Sequence, residues 1–289
     1  MASDVKRRLV ECLRELHLPT FREQFEALAH RAVQESLSYE QYLLELADRE
    51  CQARRTNRIE RWLRESGLPL EKSLARFDMK RLPAKVARQA RTLLDGAFVD
   101  ARENVLAFGR SGSGKTHLLC GIAQELVRTG RRVLFSSCSL LVQDLLIAKR
   151  DLRLNRCLKK LSSFEVLLID DLGYVQQSRE EMEVLFTLLA ERYERGSVMI
   201  TSNLPFSKWE SIFKDPMTTA AAIDRLVHHS VILELNVPSY RLEQAQRGHE
   251  ATTEPEVNDP APVPENEGTD EQSQSAKPPR RRGDARREL

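Results

Sequence analysis

The sequence lacks the features that would place it in a membrane, a disulfide framework or a metal cluster. No apolar run approaches the roughly 18 residues of a membrane helix, so we expect no membrane partner. The five cysteines are scattered and never form a Cys-x-x-Cys pair, which is typical of packing residues in a reducing compartment. The first ten residues, MASDVKRRLV, carry charge where an export signal is apolar. We therefore expect a cytoplasmic protein.

Aromatic residues are also scarce, at 6% of the chain, whereas charged residues make up 30% and hydrophobic residues 41%. These proportions are typical of a globular protein with a buried core. The formal net charge is only +2, but acidic residues are concentrated after residue 250, so the rest of the chain is basic. Arginine far exceeds lysine, and its planar guanidinium suits phosphate contacts. A GC-rich gene would give the same bias, so composition alone leaves nucleic-acid binding open.

The pattern of apolar residues divides the chain into four parts. Helical spacing over residues 1–68 predicts a small helical domain. We expect this domain to bind DNA or a partner protein. Residues 69–100 are predicted to link it to a second domain, which covers residues 101–247. Residues 248–289 are rich in proline and charge, which predicts a disordered tail. The basic end of this tail would either contact nucleic acid or be solvated.

The third predicted helix of the amino-terminal domain carries a row of arginines. It begins at a capping box formed by Ser38 and Gln41. Helical spacing then places Arg54, Arg58 and Arg61 on one face, where they could contact a DNA backbone. Glutamates nearby in the sequence would equally make this a solvated, charge-balanced face.

After residue 96, short β-rich runs alternate with helical segments. The runs predicted as strands are Asn104–Phe108, Val133–Ser136, Val166–Ile169, Val198–Thr201 and Val231–Leu235. Alternation of strands and helices is the pattern of an α/β domain. We therefore predict a parallel sheet flanked by helices over residues 101–247.

The first predicted strand leads into a complete phosphate-loop motif, GxxxxGK[ST], which is followed by an apolar helix. Glycines let the loop backbone curl so that its N–H groups face phosphates, and the lysine neutralises the β- and γ-phosphate oxygens. The threonine hydroxyl is a ligand for Mg²⁺. The sequence thus predicts ATP and Mg²⁺ as cofactors, with these nucleotide-binding residues: Gly109, Gly112, Ser113, Gly114, Lys115 and Thr116.

Paired carboxylates end the third predicted strand, in the Walker B pattern Leu-Leu-Ile-Asp-Asp. Asp170 is the predicted second metal contact beside Thr116, and Asp171 is the predicted general base that orients or deprotonates the attacking water. Asn203 follows the next strand, at the sheet edge where ligands of open α/β sheets bind. We expect it to position that water, although an asparagine before Leu-Pro is also a common turn residue.

Five segments of this chain, GKTHL, LLIDDLGY, TSNLPFSKW, IDRLVHHS and PSYRLE, resemble the IstB-like ATP-binding proteins, a branch of the AAA+ ATPases close to the DnaC-type helicase loaders. The resemblance covers roughly residues 5–247. It implies an AAA+ fold, ATP-driven homo-oligomerisation and binding of double-stranded DNA to assist the transposase of the same insertion sequence. The main alternative function is that of a replicative helicase loader. A small-molecule kinase and a non-hydrolysing nucleotide switch are weaker alternatives.

The resemblance also assigns two arginines to catalysis. Arg225 matches the arginine finger, which enters the ATP site of the neighbouring subunit, and Arg241 matches the sensor 2 position, in cis or in trans. A finger in trans makes hydrolysis depend on assembly because it stabilises charge on the γ-phosphoryl oxygens. From the residues alone, Arg225 is equally consistent with a surface ion pair to Asp224.

Between the second and third strands, residues 149–160 have a basic side chain at every third position. This spacing predicts an amphipathic basic helix whose leucines, Leu152 among them, face the protein. In an assembled ring or spiral this helix would track a DNA backbone without strong sequence preference, because only phosphate-directed cations are present. A solvated face is the alternative. The candidate DNA contacts are Arg153, Arg156, Lys159 and Lys160.

Overall fold

A five-stranded parallel sheet organises the computed structural model, which describes residues 2–173, 178–209, 216–240 and 242–243. Its strands are β1 (Asn104–Gly109), β2 (Val133–Ser137), β3 (Val166–Leu172), β4 (Ser197–Ser202) and β5 (Ser230–Leu235). They pair in the order β2-β3-β4-β1-β5, and every pair is parallel. The predicted strands and parallel sheet are confirmed, and the observed strands are one to three residues longer. The tail predicted over residues 248–289 lies outside the described residues.

Helices cover both faces of this sheet. They are α4 (Ala84–Thr92), α5 (Ala97–Asp100), α6 (Lys115–Arg128), α7 (Cys138–Arg150), α8 (Leu154–Ser162), α9 (Arg179–Arg192) and α10 (Pro216–Val227). Short 3₁₀ turns lie at Leu74–Arg76, Met79–Arg81, Leu93–Asp95 and Phe206–Lys208. Successive strand residues point to opposite faces. Val105 therefore packs in the core that contains α6, whereas Leu106 packs in the core that contains α7 and α9.

Three helices precede the sheet: α1 (Ala2–Glu15), α2 (Pro19–Gln34) and α3 (Tyr39–Glu65). The predicted capping box at Ser38 is confirmed, with its hydroxyl accepting the Gln41 N–H and the Gln41 side chain accepting the Ser38 N–H. A buried carboxylate joins α2 to α3, since Glu50 accepts the Thr20 N–H at 2.9 Å and the Arg54 Nε at 2.7 Å. The Thr20 N–H lies in the first turn of α2, where backbone N–H groups have no partner within the helix, and Glu50 supplies that partner.

Residues 69–100, predicted as a link between domains, contribute to the core of the α/β part of the molecule. Leu82, Val86, Ala90 and Phe98 are buried against the α6 face of the sheet. The described residues before Gly248 form one compact unit with no break at residue 68 or residue 100. Among those residues, no helix is both long enough and apolar enough to cross a membrane.

The basic helix predicted over residues 149–160 is interrupted. The chain leaves α7 after Arg150 and re-enters helix at Leu154, and Leu152 between them has a left-handed φ of 57°. Leu152 is 95% exposed, so its predicted orientation toward the protein was wrong. Leu158 and Leu161 on α8 are buried as predicted. The break therefore divides the predicted basic surface between the turn and α8.

Candidate nucleotide site

The phosphate loop occupies the turn between β1 and α6, as the motif predicted. Gly112 and Gly114 have left-handed φ angles of 78° and 91°, which L-residues with side chains rarely adopt. A Cβ at Gly112 would lie 2.0 Å from the Ser239 hydroxyl, and one at Gly114 would lie 3.0 Å from the Phe77 ring. Both conformation and space thus require glycine. Gly109, the first loop residue, ends β1 beside β5.

Lys115 is buried at the start of α6 and folds back onto its own loop. Its ammonium donates to the carbonyl oxygens of Gly109 at 2.8 Å and Arg110 at 2.9 Å. The hydroxyl of Ser113 is also buried, and it has no hydrogen-bond partner within the described part of the chain. A phosphate oxygen would satisfy that hydroxyl, because a buried polar atom is costly to leave unpaired. The loop therefore fits the phosphates of a nucleotide.

Thr116 and Asp170, the predicted metal contacts, are brought together. The Thr116 hydroxyl donates to Asp170 Oδ1 at 2.7 Å, across the gap between α6 and β3. A hydroxyl beside a carboxylate next to a phosphate loop is the oxygen-only donor set that Mg²⁺ prefers. The residues present therefore fit a magnesium ion.

Thr201 is a member of this site that the sequence analysis missed. It lies on β4, is fully buried, and its hydroxyl donates to Asp170 Oδ1 at 2.6 Å. The Thr201 hydroxyl oxygen in turn accepts the Asp171 N–H at 2.8 Å. In the sequence, Thr201 is only one residue of a β-rich run. Its position two residues before Asn203 was the one available signal.

The site opens into a cavity of about 570 Å³, which is within the usual range for small-molecule sites. Asp171 and Asn203 line it together with the loop, so the structure brings the predicted catalytic carboxylate and amide to the same cavity as the phosphate loop. Three cations that the sequence analysis did not single out also line it: Lys72, Arg76 and Arg81. The carboxylates of Asp78, Asp170 and Asp171 line the same cavity and offset much of this positive charge.

Two segments besides the turn between β1 and α6 line the cavity. The Phe77 ring meets the His117 ring edge-on, and it belongs to the 3₁₀ region that precedes α4. The chain after β5 returns to the loop, where the Tyr240 N–H donates to the Gly112 carbonyl at 3.0 Å. Arg81 links the segments, since it bonds to Glu243 at 2.7 Å. Arg241, the predicted sensor 2 residue, lies outside the described residues.

Arg225 is not among the residues that line the cavity of its own chain. It lies on α10, with its guanidinium carbon 4.7 Å from the centre of the Phe186 ring. Its Nη1 atom is buried without a hydrogen bond in the described structure. A finger that acts in trans would be placed away from its own phosphates in this way, and that role stays a prediction.

The three arginines of α3 that are predicted to contact DNA are exposed, but they differ in the contacts that they make within the protein. Arg54 is held by the buried Glu50 and by the His17 carbonyl, so it fastens the helices together. Arg58 lies over the Trp62 ring, and Arg61 is 3.8 Å from Glu65. The solvated, charge-balanced alternative thus has structural support at two of the three positions, and DNA contact remains a prediction.

The four predicted contacts near α8 are all exposed. Arg153 pairs with Asp151 in the turn before the helix. Arg156, Lys159 and Lys160 are on α8 itself, opposite the buried Leu158 and Leu161. The helix therefore anchors by its leucines and presents its cations to solvent.

A glycine loop between a strand and a helix, with its threonine bonded to the acidic end of a neighbouring strand, defines a P-loop nucleotide-binding protein. The parallel sheet and its flanking helices are those of an AAA+ domain. The chain belongs to the family of IstB-like ATP-binding proteins, whose pattern matches residues 11–248.

The chain is similar to several curated proteins. An insertion sequence ATP-binding protein of Sinorhizobium fredii is 41% identical over 239 residues, which cover 82% of this chain and 80% of the relative. The IS21 ATP-binding protein of Pseudomonas aeruginosa is 37% identical over 222 residues, which cover 77% and 84%. Among solved structures, the crystal structure of DnaI has 24% identity and a TM-score of 0.49, covering 58% of this chain and 94% of DnaI.

Proposed function

We propose that this protein is an ATPase that assembles on double-stranded DNA in its ATP-bound state and assists the transposase of its insertion sequence. The observation that supports the enzymatic part of this proposal is the presence of two carboxylates beside the phosphate loop. Asp170 contacts Thr116, and Asp171 lines the same cavity. The relatives named for insertion sequences support the biological part.

Each residue of the site has a separate task in hydrolysis. Lys115 and the loop N–H groups bind the phosphates, and Thr116 with Asp170 would hold Mg²⁺, which supplies positive charge at the phosphoryl oxygens. Asp171 accepts the proton of the attacking water, and Asn203 orients that water from the end of β4. Arg225 from a neighbouring subunit would stabilise the charge that develops on the γ-phosphoryl group.

Support for DNA binding is the exposed cations of α8, which face solvent from a helix anchored by leucines. Their charge is directed at phosphates, so we expect little preference for base sequence. A helicase loader would use the same ATP site with a different partner. Pull-down of a candidate insertion-sequence transposase, compared with a replicative helicase, separates the two functions.

The ATPase assignment is tested by two substitutions. Lys115→Ala should abolish ATP binding and ATP-dependent assembly on DNA, because the loop alone cannot neutralise the phosphate charge. Asp171→Asn should keep ATP binding while hydrolysis falls about 100-fold, the scale of a lost general base. Fluorescent-nucleotide binding and phosphate release measure these effects.

Matched controls are Lys85→Ala and Asp48→Asn, which change exposed residues of the same types on α4 and α3. Both should behave as the wild type. Assembly retained in Lys115→Ala would refute the phosphate role, and equal loss of binding and turnover in Asp171→Asn would refute the general base.

A further inference from the structure

The ladder between β3 and β4 is interrupted at the catalytic carboxylates. Ile169 pairs with Ile200 and Leu172 pairs with Ser202, so two residues on β3 face one residue on β4. The two are Asp170 and Asp171, and the one is Thr201. Such a bulge bends the strand and redirects a side chain. Here it places the Asp171 side chain at the cavity.

A bulge disrupts the hydrogen-bond ladder locally, and at this bulge Thr201 supplies a side-chain acceptor. The Asp171 N–H donates to the Thr201 hydroxyl at 2.8 Å. Asp171 also has a left-handed φ of 60°, a conformation that persists only where the surroundings impose it. The threonine hydroxyl is therefore one of the contacts that impose it.

The hydroxyl also acts on the neighbouring carboxylate. A threonine has one proton to donate and lone pairs to accept with. The Thr201 hydroxyl donates to Asp170 Oδ1 at 2.6 Å, and the Thr116 hydroxyl donates to the same oxygen at 2.7 Å. One buried side chain on β4 thus fixes the Asp170 carboxylate and the Asp171 backbone at once.

We propose that Thr201 is a positioning residue for hydrolysis, which sets the Asp170 carboxylate for Mg²⁺ and holds the bulge that directs Asp171 to the attacking water. This inference rests on the proposed ATPase function. Thr201 touches neither nucleotide nor metal in its role, because both of its bonds are to the two aspartates. Its loss should therefore affect turnover and the magnesium requirement, and leave magnesium-free nucleotide binding unchanged.

The test compares Thr201→Val, which keeps the shape and removes the hydroxyl, with Thr201→Ser, which keeps the hydroxyl and removes the methyl. The valine variant should lower kcat by about 10- to 100-fold, the range for a lost hydrogen bond to a charged group. It should also raise the Mg²⁺ concentration for half-maximal activity. The serine variant should restore most of both values.

Binding measured without turnover provides the second readout. A non-hydrolysable fluorescent ATP analogue is titrated with and without Mg²⁺. Thr201→Val should bind it as the wild type does without Mg²⁺ and lose the gain in affinity that Mg²⁺ brings. Ser197→Ala is the matched control, because Ser197 is a buried hydroxyl at the other end of β4, and it should change neither titration.

The possible results separate the inference from the function on which it rests. A serine variant as impaired as the valine variant would overturn the inference, because the methyl group would then be what matters. A valine variant with wild-type turnover and wild-type magnesium dependence would overturn it as well. If the wild type itself released no phosphate, the ATPase proposal would fail, and the magnesium-dependent binding would still test the effect of Thr201 on Asp170.

Discussion

Cys120 shows how burial changes the chemistry of one side chain. It is fully buried on α6, and burial together with the nearby Asp170 charge raises the pKa of its thiol to about 12. Because the thiolate is the reactive form, Cys120 should be inert at neutral pH. An unfolded thiol ionises near pH 9, so this group lowers the stability of the folded state as the pH rises above about 9.

We predict that alkylation of the folded protein at pH 8 modifies Cys12 and Cys51, which are exposed, and spares Cys120 and Cys138, which are buried. Peptide mass spectrometry after a short reaction measures the modified fraction of each cysteine. Denaturant before alkylation should make all four reactive. Rapid labelling of Cys120 in the folded protein would contradict its burial in the core that contains α6.

At the scale of elements, α8 is the clearest candidate for DNA. Changing Arg156, Lys159 and Lys160 together to glutamine should lower the slope of log affinity against log salt by up to about 2.7, since each phosphate contact contributes roughly 0.9. Filter binding or fluorescence anisotropy over a salt series measures the slope. Nucleotide binding should be unchanged, because none of the three lines the cavity.

The matched control changes Lys85, Arg88 and Arg91 on α4, which are also three exposed cations on one short helix. Their substitution should leave the slope as it is. If both triple variants lowered the slope equally, DNA would be responding to overall charge and α8 would have no special part.

Much of this architecture was predictable because each element carries its own signal. The glycine-loop motif predicted where β1 ends and α6 begins, and the apolar run before Asp170 predicted β3. The break at Leu152 was not predictable, since basic residues continue at helical spacing across it. Thr201 was missed because its importance comes from a cross-strand bulge. The register shift depends on how β3 pairs with β4, which are separate segments of the chain, so no local sequence pattern indicates it.

At the scale of the whole molecule, the separation of Arg225 from the cavity of its own chain favours action in trans. Arg225→Ala should leave ATP affinity nearly unchanged and remove DNA-stimulated hydrolysis, because its target phosphate belongs to a neighbour. Mixing this variant with Lys115→Ala should recover part of the activity, since one interface then combines an intact loop with an intact finger. Phosphate release from the mixture measures the recovery.

Asp224→Asn is the control for the mixing experiment. If Arg225 served only as the ion-pair partner of Asp224, both single variants would be equally impaired and no mixture would recover activity. Recovery with Arg225→Ala, together with wild-type activity in Asp224→Asn, is the result that a finger in trans requires.

Helix α3 joins the amino-terminal helices to the ATP-binding core. It is long enough that a small tilt at one end would displace its other end by several ångströms. Trp62 and Leu63 pack against the core at its base, and the Ser66 carbonyl accepts the Phe135 N–H of β2 at 2.7 Å. Its 27 residues span about 40 Å at 1.5 Å per residue. A tilt of about 5° at the base would displace the Tyr39 end by about 3.5 Å, by the same rise per residue. A rigid-body tilt at the base of α3 would therefore displace the residues farthest from the core most.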